Sequence, residues 1–192
     1  MKHTMIDLET LGTEPGSVFL SIAAVQFDID SKGNLFTVEG YEAHFYENIS
    51  LKSAQKAGLQ ISEDTLQWWL TQKPEIMAKM FEFTKPLKEV LGLFREWKSL
   101  NEVFYFWGNS ARFDMGLLEA GYHSVGEKIP WNHRCEMDYR TMKNLFPLDN
   151  FESTVDKDQA HNPIADCYYQ IEKLHAIVKT YGINFEFCTQ AK

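Results

Sequence analysis

The sequence predicts an α/β domain, and three observations lead to this prediction. Segments with the alternating pattern of strands come first, and turn residues separate them closely enough for an antiparallel meander. Segments with apolar residues at helical spacing follow, and a further strand rich in aromatic residues lies among them. A meander followed by alternating helices and strands indicates a mixed sheet with helices packed against it.

The strands are predicted from apolar alternation bounded by turn residues. Gly12, Pro15 and Gly16 mark the turn between the first two strands. The aromatic residues of the fourth strand indicate a buried position. The four predicted strands cover residues 3–9, 16–29, 41–49 and 102–109.

Helices are predicted where a start signal precedes apolar residues at helical spacing. Ser62 can cap the first helix, and Pro74 and Pro86 suit the first positions of the next two. The last helix has the clearest signals, because Asn162 can cap it and Gly182 can end it. Its apolar stripe consists of Ile164, Tyr168, Ile171, Leu174 or His175, and Val178. The remaining two helices are predicted over 111–122, ending at Gly121, and over 137–146.

Composition narrows the class of protein. The 192 residues suit one compact domain over 1–192, and no apolar run is long enough to cross a membrane. Cys135, Cys167 and Cys188 are widely spaced and form no CxxC, which predicts a reducing, cytoplasmic setting. The net charge of -8 argues against electrostatic binding of duplex nucleic acid over a large surface. It allows a small acidic pocket that binds metal ions and one strand end.

Carboxylates stand where predicted elements begin or end. In the stretch MIDLET, Asp7 and Glu9 share one face of a strand, with Leu8 on the other. These two alone would also suit an exposed acidic edge. Asp114 follows the aromatic strand at the start of a helix, and Asp166 lies in the first turn of the last helix. Such positions commonly carry functional side chains on a rigid scaffold.

Four converging carboxylates would repel one another without cations, and such oxygen ligands suit Mg²⁺ or Mn²⁺. Two ions roughly 3.5–4 Å apart can clamp the attacking and leaving oxygens of a phosphoryl transfer. His161, five residues before Asp166, could deprotonate the attacking water near neutral pH. The pattern therefore predicts a phosphoryl transfer to water that needs no nucleophilic side chain.

Three segments, taken in order, resemble the motifs of the DEDD 3′–5′ exonuclease superfamily. DLET matches the first motif, NSARFD the second, and HNPIAD the third in its histidine form, H-x4-D. The tyrosine form would need Tyr at the position of Asn162, so the chain resembles the DEDDh branch. DLETLGTEPGSVFLSIAAVQFD with TLQWWLTQ is further similar to exoribonucleases of the RNase AS type and to related phage exonucleases.

The resemblance implies a ribonuclease H-like fold with a mixed sheet of about five strands, the first three antiparallel. The additional strand would lie at 131–137. It also implies two divalent ions, Mg²⁺ or Mn²⁺, with His161 as the general base. The implied metal ligands are Asp7, Glu9, Asp114 and Asp166.

Further residues are implied to contact the substrate. Thr10, Leu11 and Gly12 follow the first motif, where the family contacts the terminal nucleotide through backbone groups and an apolar wedge. Glu9 would also meet the terminal 3′-OH, and Asn109 would help to hold the strand.

Aromatic and basic residues outside the motifs add candidates. Trp68 and Trp69 point about 100° apart on a helix, which predicts that one packs in the core and the other can stack on a base. Either ring could be the one that stacks, and Trp68 is the candidate. The alternative is that both only pack in the core. Cationic residues that could offset phosphate charge are Arg112, Arg134, Arg140 and Lys143.

The leading prediction is a metal-dependent 3′–5′ exonuclease that releases nucleoside 5′-monophosphates from single-stranded 3′ ends. The RNase AS resemblance favours RNA over DNA and implies a homodimer. One alternative is an exodeoxyribonuclease of the phage type. Others are a non-catalytic nucleic-acid-binding protein of the same fold and a structural domain whose carboxylates never meet. The complete set of five residues favours catalysis.

Overall fold

A mixed sheet with helices on both faces forms the centre of the computed structural model. The structure describes residues 2–29, 35–37, 43–101, 103–156 and 162–183. The strands are β1 (Lys2–Thr10), β2 (Phe19–Ile29), β3 (Leu35–Thr37), β4 (His44–Asn48), β5 (Tyr105–Gly108) and β6 (Glu136–Asp138). The helices are α1 (Leu51–Lys56), α2 (Glu63–Trp69), α3 (Pro74–Lys79), α4 (Leu87–Leu100), α5 (Ala111–Ser124), α6 (Tyr139–Leu145) and α7 (Pro163–Tyr181).

The strand β1 lies in the middle of the sheet. It pairs antiparallel with β2 on one side and parallel with β5 on the other, and β6 continues the parallel half. Both β3 and β4 pair antiparallel with β2, at residues 27–29 and 21–25 respectively, so six strands occupy five positions. The predicted α/β class is confirmed, and the architecture is that of a ribonuclease H-like mixed sheet whose first three predicted strands are antiparallel.

Short elements depart from the predictions. The expected strand at 131–137 is reduced to β6, because a 3₁₀ turn occupies His133–Cys135 just before it. Neither β3 nor α1 was predicted, since both are too short to show a period. The prediction that α5 ends at Gly121 is wrong. A Cβ atom there would lie 2.6 Å from the ring of Phe19, so this glycine allows close packing inside the helix.

The predicted helix starts have the expected hydrogen bonds. Ser62 accepts from the Thr65 amide at 3.4 Å, and Asn162 accepts from the amide of Ile164 at 3.2 Å. Gly182 ends α7 in the left-handed conformation, with φ of 60°. Pro86, by contrast, lies at the cap position of α4 and not inside its first turn.

The two faces of the sheet differ in their cover. On the five-helix face, α1 to α5 pack on a large cluster that includes Ile6, Leu8 and Phe94. On the two-helix face, α6 and α7 pack on a smaller cluster that includes Met5 and Leu174. Leu174, not the half-buried His175, completes the stripe of α7.

Two further predictions concern cysteines and membranes. Cys135 and Cys167 are buried free thiols, and Cys188 lies outside the described residues. Among the helices that the structure describes, none combines the length and the apolar character needed to cross a membrane.

Candidate active site

The first two carboxylates stand where β1 extends past its neighbour. The pairing of β1 with β5 ends at Ile6 opposite Gly108, whereas its pairing with β2 continues, with Asp7 opposite Ala23. Side chains alternate along the strand, so Asp7 and Glu9 follow Met5 on the two-helix face. Along this row, the side chains therefore change from apolar and buried, at Met5, to acidic, at Asp7 and Glu9. The change occurs where β1 no longer pairs with β5.

A third carboxylate approaches these two from α7. One side-chain oxygen each of Asp7, Glu9 and Asp166 lies within 4.8 Å of the others. Asp166 belongs to the first turn of α7, whose start is fixed by the Asn162 cap. We call these three residues the carboxylate cluster.

Electrostatics show how crowded the carboxylate cluster is. Burial, together with the charges of Asp114, Glu9 and Asp166, raises the pKa of Asp7 well above its usual range. Burial and the charge of Asp166 raise the pKa of Glu9 to about 8. Without a cation, Asp7 and Glu9 therefore tend to stay protonated at pH values where carboxyl groups are normally ionised.

Gln170 lies beside the carboxylate cluster, one turn of α7 beyond Asp166. Its Nε2 donates to Asp7 Oδ1 at 3.3 Å, and the residue is only 6% exposed. When Asp7 is ionised, as it would be beside a cation, the opposite orientation of the amide would place Oε1 against a carboxylate, so the donor then faces Asp7. Its Oε1 has no hydrogen-bond partner within the described part of the chain. A buried acceptor of this kind is suited to a water held by a metal ion.

Asp114 stands apart from the three clustered acids. It is 1% exposed, and its Oδ2 accepts from the Ser110 amide at 3.2 Å, at the start of α5. A Cβ atom at position 108 would lie 2.5 Å from this oxygen, so Gly108 makes room for it. Burial raises the pKa of Asp114 to about 7, although nearby amides and Arg140 act in the opposite direction. The structure thus places Asp114 within electrostatic reach of Asp7 but outside the carboxylate cluster.

The proposed general base cannot be placed in the same way. His161 lies outside the described residues, which resume at Asn162. Its approach to the carboxylate cluster stays a prediction.

A cleft of about 590 Å³ opens at the carboxylate cluster. Four of the residues predicted to contact substrate line it, namely Glu9, Thr10, Trp68 and Asn109. Apart from Asp7 and Asp166 of the carboxylate cluster, the other residues of the wall were not among the predicted substrate contacts. These are Thr13, Ser62, Asp64, Thr65 and Phe113, together with Leu8 and Trp69.

Leu11 and Gly12 are not in the wall of the cleft. The Leu11 side chain is 1% exposed in the core of the five-helix face, its amide donates to Val18 and its carbonyl accepts from Ser62. A Cβ atom at Gly12 would lie 2.4 Å from Ser17 Oγ. The expected nucleotide contact of these two residues stays a prediction. Leu11 shapes the turn after β1, because its amide and carbonyl are engaged there.

The adjacent tryptophans have different environments. Trp69 is 2% exposed, and its Nε1 donates to the Thr10 carbonyl at 2.8 Å, which fixes the end of β1. Trp68 is 44% exposed and lines the cleft. The alternative in which both rings only pack in the core does not fit this geometry.

The four cationic candidates are spread along the chain. Arg112 and Arg134 are exposed, and the Lys143 ammonium lies 5.8 Å from the centre of the Tyr139 ring. Of the four, Arg140 acts electrostatically on Asp114.

The fold and the cleft define a class of protein, namely a ribonuclease H-like α/β domain with an acidic cleft at the end of its central strand. Residues 2–178 match the family model described as the 3′–5′ exoribonuclease Rv2179c-like domain, and the chain belongs to this family. The family indicates a 3′–5′ exoribonuclease, and hence a hydrolase with a nucleic-acid substrate. No curated protein matches the chain.

Proposed function

We propose that this protein is a metal-dependent 3′–5′ exoribonuclease of the DEDDh type, related to the RNase AS enzymes. It removes nucleoside 5′-monophosphates from the 3′ ends of single-stranded RNA. The observation that carries the proposal is the carboxylate cluster, with three oxygens within 4.8 Å at the floor of an open cleft. The family match supports the direction and the substrate class.

The residues of the site fit divalent cations. All the donors in the carboxylate cluster are hard carboxylate oxygens, which Mg²⁺ and Mn²⁺ prefer. The buried Oε1 of Gln170 offers an acceptor beside them. Asp7, Glu9 and Asp166 would hold the ions, and Asp114, which lies within electrostatic reach of Asp7, would complete the set of ligands. Two bound ions would supply charge stabilisation and an activated water for the attack on the phosphodiester.

The chain's own residues would position the strand end. Glu9 and Thr10 lie at the end of β1, and Trp68 lines the same cleft with an accessible ring. Such a ring can stack on a base of any sequence. His161, just before α7, would take the proton from the attacking water.

Shortening of labelled strands tests the proposal. Purified protein with Mn²⁺ or Mg²⁺ should shorten a 5′-labelled single-stranded RNA stepwise from its 3′ end and release 5′-monophosphates. A matched DNA strand separates the alternatives, because its exclusive degradation would indicate an exodeoxyribonuclease. Binding of both strands without shortening of either would indicate a non-catalytic nucleic-acid-binding protein.

Assembly and location belong to the same proposal. We expect a single domain over residues 1–192 that forms a homodimer in the cytoplasm. Sedimentation of the purified protein checks the dimer. A monomer at the concentrations used for activity would contradict it.

A further inference from the structure

An exposed phenylalanine stands on the turn after α3 in an unusual backbone conformation. Phe83 has a φ of 51° and is 92% exposed. Among the residues that the structure describes, it is the only non-glycine with positive φ. A bulky residue in this region is strained, and such strain persists where the surroundings impose it, most often at functional sites.

The turn that carries Phe83 is held in place by one buried amide side chain. Asn48, in β4, donates through Nδ2 to the carbonyls of Lys79 and Glu82, both at 2.9 Å. Its Oδ1 accepts from the Tyr46 hydroxyl, also at 2.9 Å. The same side chain therefore fixes the turn that carries Phe83 and orients the ring of Tyr46.

Tyr46 and Phe83, together with Tyr168, line a groove of about 1040 Å³. The groove adjoins the active-site cleft at two points. Ala165 lines the groove, and the next residue, Asp166, belongs to the carboxylate cluster. Tyr46 also lies within the electrostatic reach of Glu9. A strand whose end occupies the cleft has this groove as an adjoining path.

The chemistry of the groove suits bases better than phosphates. Among the residues that the structure describes, its wall has three aromatic rings and a single cationic residue, Lys79. Its acidic residues are Glu82, Asp156 and Glu172, and they would repel a phosphate backbone. Stacking on an aromatic ring needs no sequence readout and little electrostatic attraction.

We propose that this groove binds the nucleotides that precede the 3′-terminal one, with a base stacked on Phe83. The inference rests on the proposed function, which places the 3′ end at the carboxylate cluster. The groove would make affinity depend on the length of the strand.

Binding measurements with Ca²⁺ in place of Mn²⁺ or Mg²⁺ test the inference. The ligands are a 5′-labelled RNA hexanucleotide and a nucleoside 5′-monophosphate as competitor. Phe83→Ala should lower the ratio of hexanucleotide to monophosphate affinity by about 5-fold or more, the loss of one stacked base. Phe83→Tyr should restore the ratio. The matched control is Phe81→Ala, since Phe81 is 43% exposed and lies outside the groove wall, and it should leave the ratio unchanged.

A stability measurement separates binding from folding. Glycine adopts positive φ without strain, so Phe83→Gly should melt no lower than the wild type while it loses hexanucleotide affinity. A Phe83→Ala protein that binds the hexanucleotide as tightly as the wild type would overturn the inference, and so would a wild type that does not bind it. Unchanged RNA affinity with altered sedimentation would overturn it too, and would assign Phe83 to a subunit contact. Hexanucleotide binding without any shortening in Mn²⁺ would refute the proposed function and leave the groove supported.

Discussion

The two faces of the sheet differ in what they contribute: one buries most of the apolar core, and the other carries the acidic residues of the site. The five-helix face buries Leu8 and Phe94 under α1 to α5, and its core is closed. The two-helix face buries Met5, but farther along the same row Asp7 and Glu9 reach an open cleft. A strongly covered face can support a thinly covered one on which crowded charges reduce stability. Stability and the site can therefore be perturbed separately through α4 and α7, because α4 contributes no residue to the cleft wall and α7 carries Asp166.

The largest effect is expected from removal of the acid at the centre of the site. Asp7→Asn should lower kcat/KM on single-stranded RNA by about 10³-fold, since a group that supports transition-state charge is lost. It should also raise the free energy of unfolding of the metal-free protein, because Asp114, Glu9 and Asp166 all repel Asp7. Steady-state kinetics and chemical denaturation in EDTA measure the two changes.

The matched control for this substitution is Asp64→Asn. Asp64 is an exposed acid on the rim of the same cleft, outside the carboxylate cluster. The control should retain activity and stability. An active Asp7→Asn protein would refute the assigned role of Asp7.

A pair of leucines tests the difference between the faces directly. Leu91 in α4 and Leu174 in α7 are both buried, one on each face. Each Leu→Ala substitution should lower the free energy of unfolding by about 2–5 kcal/mol. Only Leu174→Ala should also lower kcat of the folded fraction, because α7 carries Asp166 and Gln170. Equal effects of both substitutions on kcat would show that the two faces are not separable.

The metal-free protein should respond to pH in the opposite sense to most proteins. The pKa of Glu9 is raised to about 8 and that of Asp114 to about 7, far above the values in the unfolded chain. Between roughly pH 4 and pH 8 the folded state therefore binds more protons, and the free energy of unfolding falls as pH rises. Thermal melts in EDTA across this window measure the slope, and a rise in stability from pH 5 to pH 8 would contradict it.

Added Mn²⁺ should reverse this trend. The ion binds the deprotonated carboxylates of the folded state, so its stabilising effect should grow with pH. At a concentration 100 times Kd, the gain should be about 2.7 kcal/mol. Melts at pH 8 with and without Mn²⁺ measure it, and a chain whose carboxylates do not bind metal would show no gain.

The sequence could predict those parts of the fold and site that depend on position along the chain. Asp7 and Glu9 share a face by strand alternation, and Asp166 was placed in a first helical turn by the Asn162 cap. Both patterns are local. Their meeting required a topology in which β1 is central and α7 returns to its end, and the three motifs in order supplied that expectation.

Features set by tertiary contacts could not be predicted in this way. Glycine often ends a helix, but Gly121 lies inside α5. A glycine is needed there because the ring of Phe19 leaves no room for a Cβ atom. Leu11 follows the first motif, yet its hydrogen bonds to Val18 and Ser62 turn it inward. The sequence does not distinguish Gln170 from the other polar residues of α7. Its contact with Asp7, which depends on the packing of α7 against β1, indicates its role.

The smallest and most specific effect is expected at Gln170. Gln170→Met keeps the volume of the side chain but removes the donor to Asp7, so the carboxylate loses this side-chain hydrogen bond. Loss of a group that orients a metal ligand costs about 10-fold in metal affinity or more. Calorimetric titration with Mn²⁺ should therefore give a Kd about 10-fold higher, alongside a lower kcat.

The control is Gln67→Met, because Gln67 is an exposed glutamine on α2 outside the cleft wall. It should bind Mn²⁺ as the wild type does. If Gln170→Met also bound Mn²⁺ with wild-type affinity and only melted at a lower temperature, Gln170 would be a packing residue. The two-helix face would then orient its acids through the backbone of β1 and α7 alone, and Asp7 would need no support from its neighbour in α7.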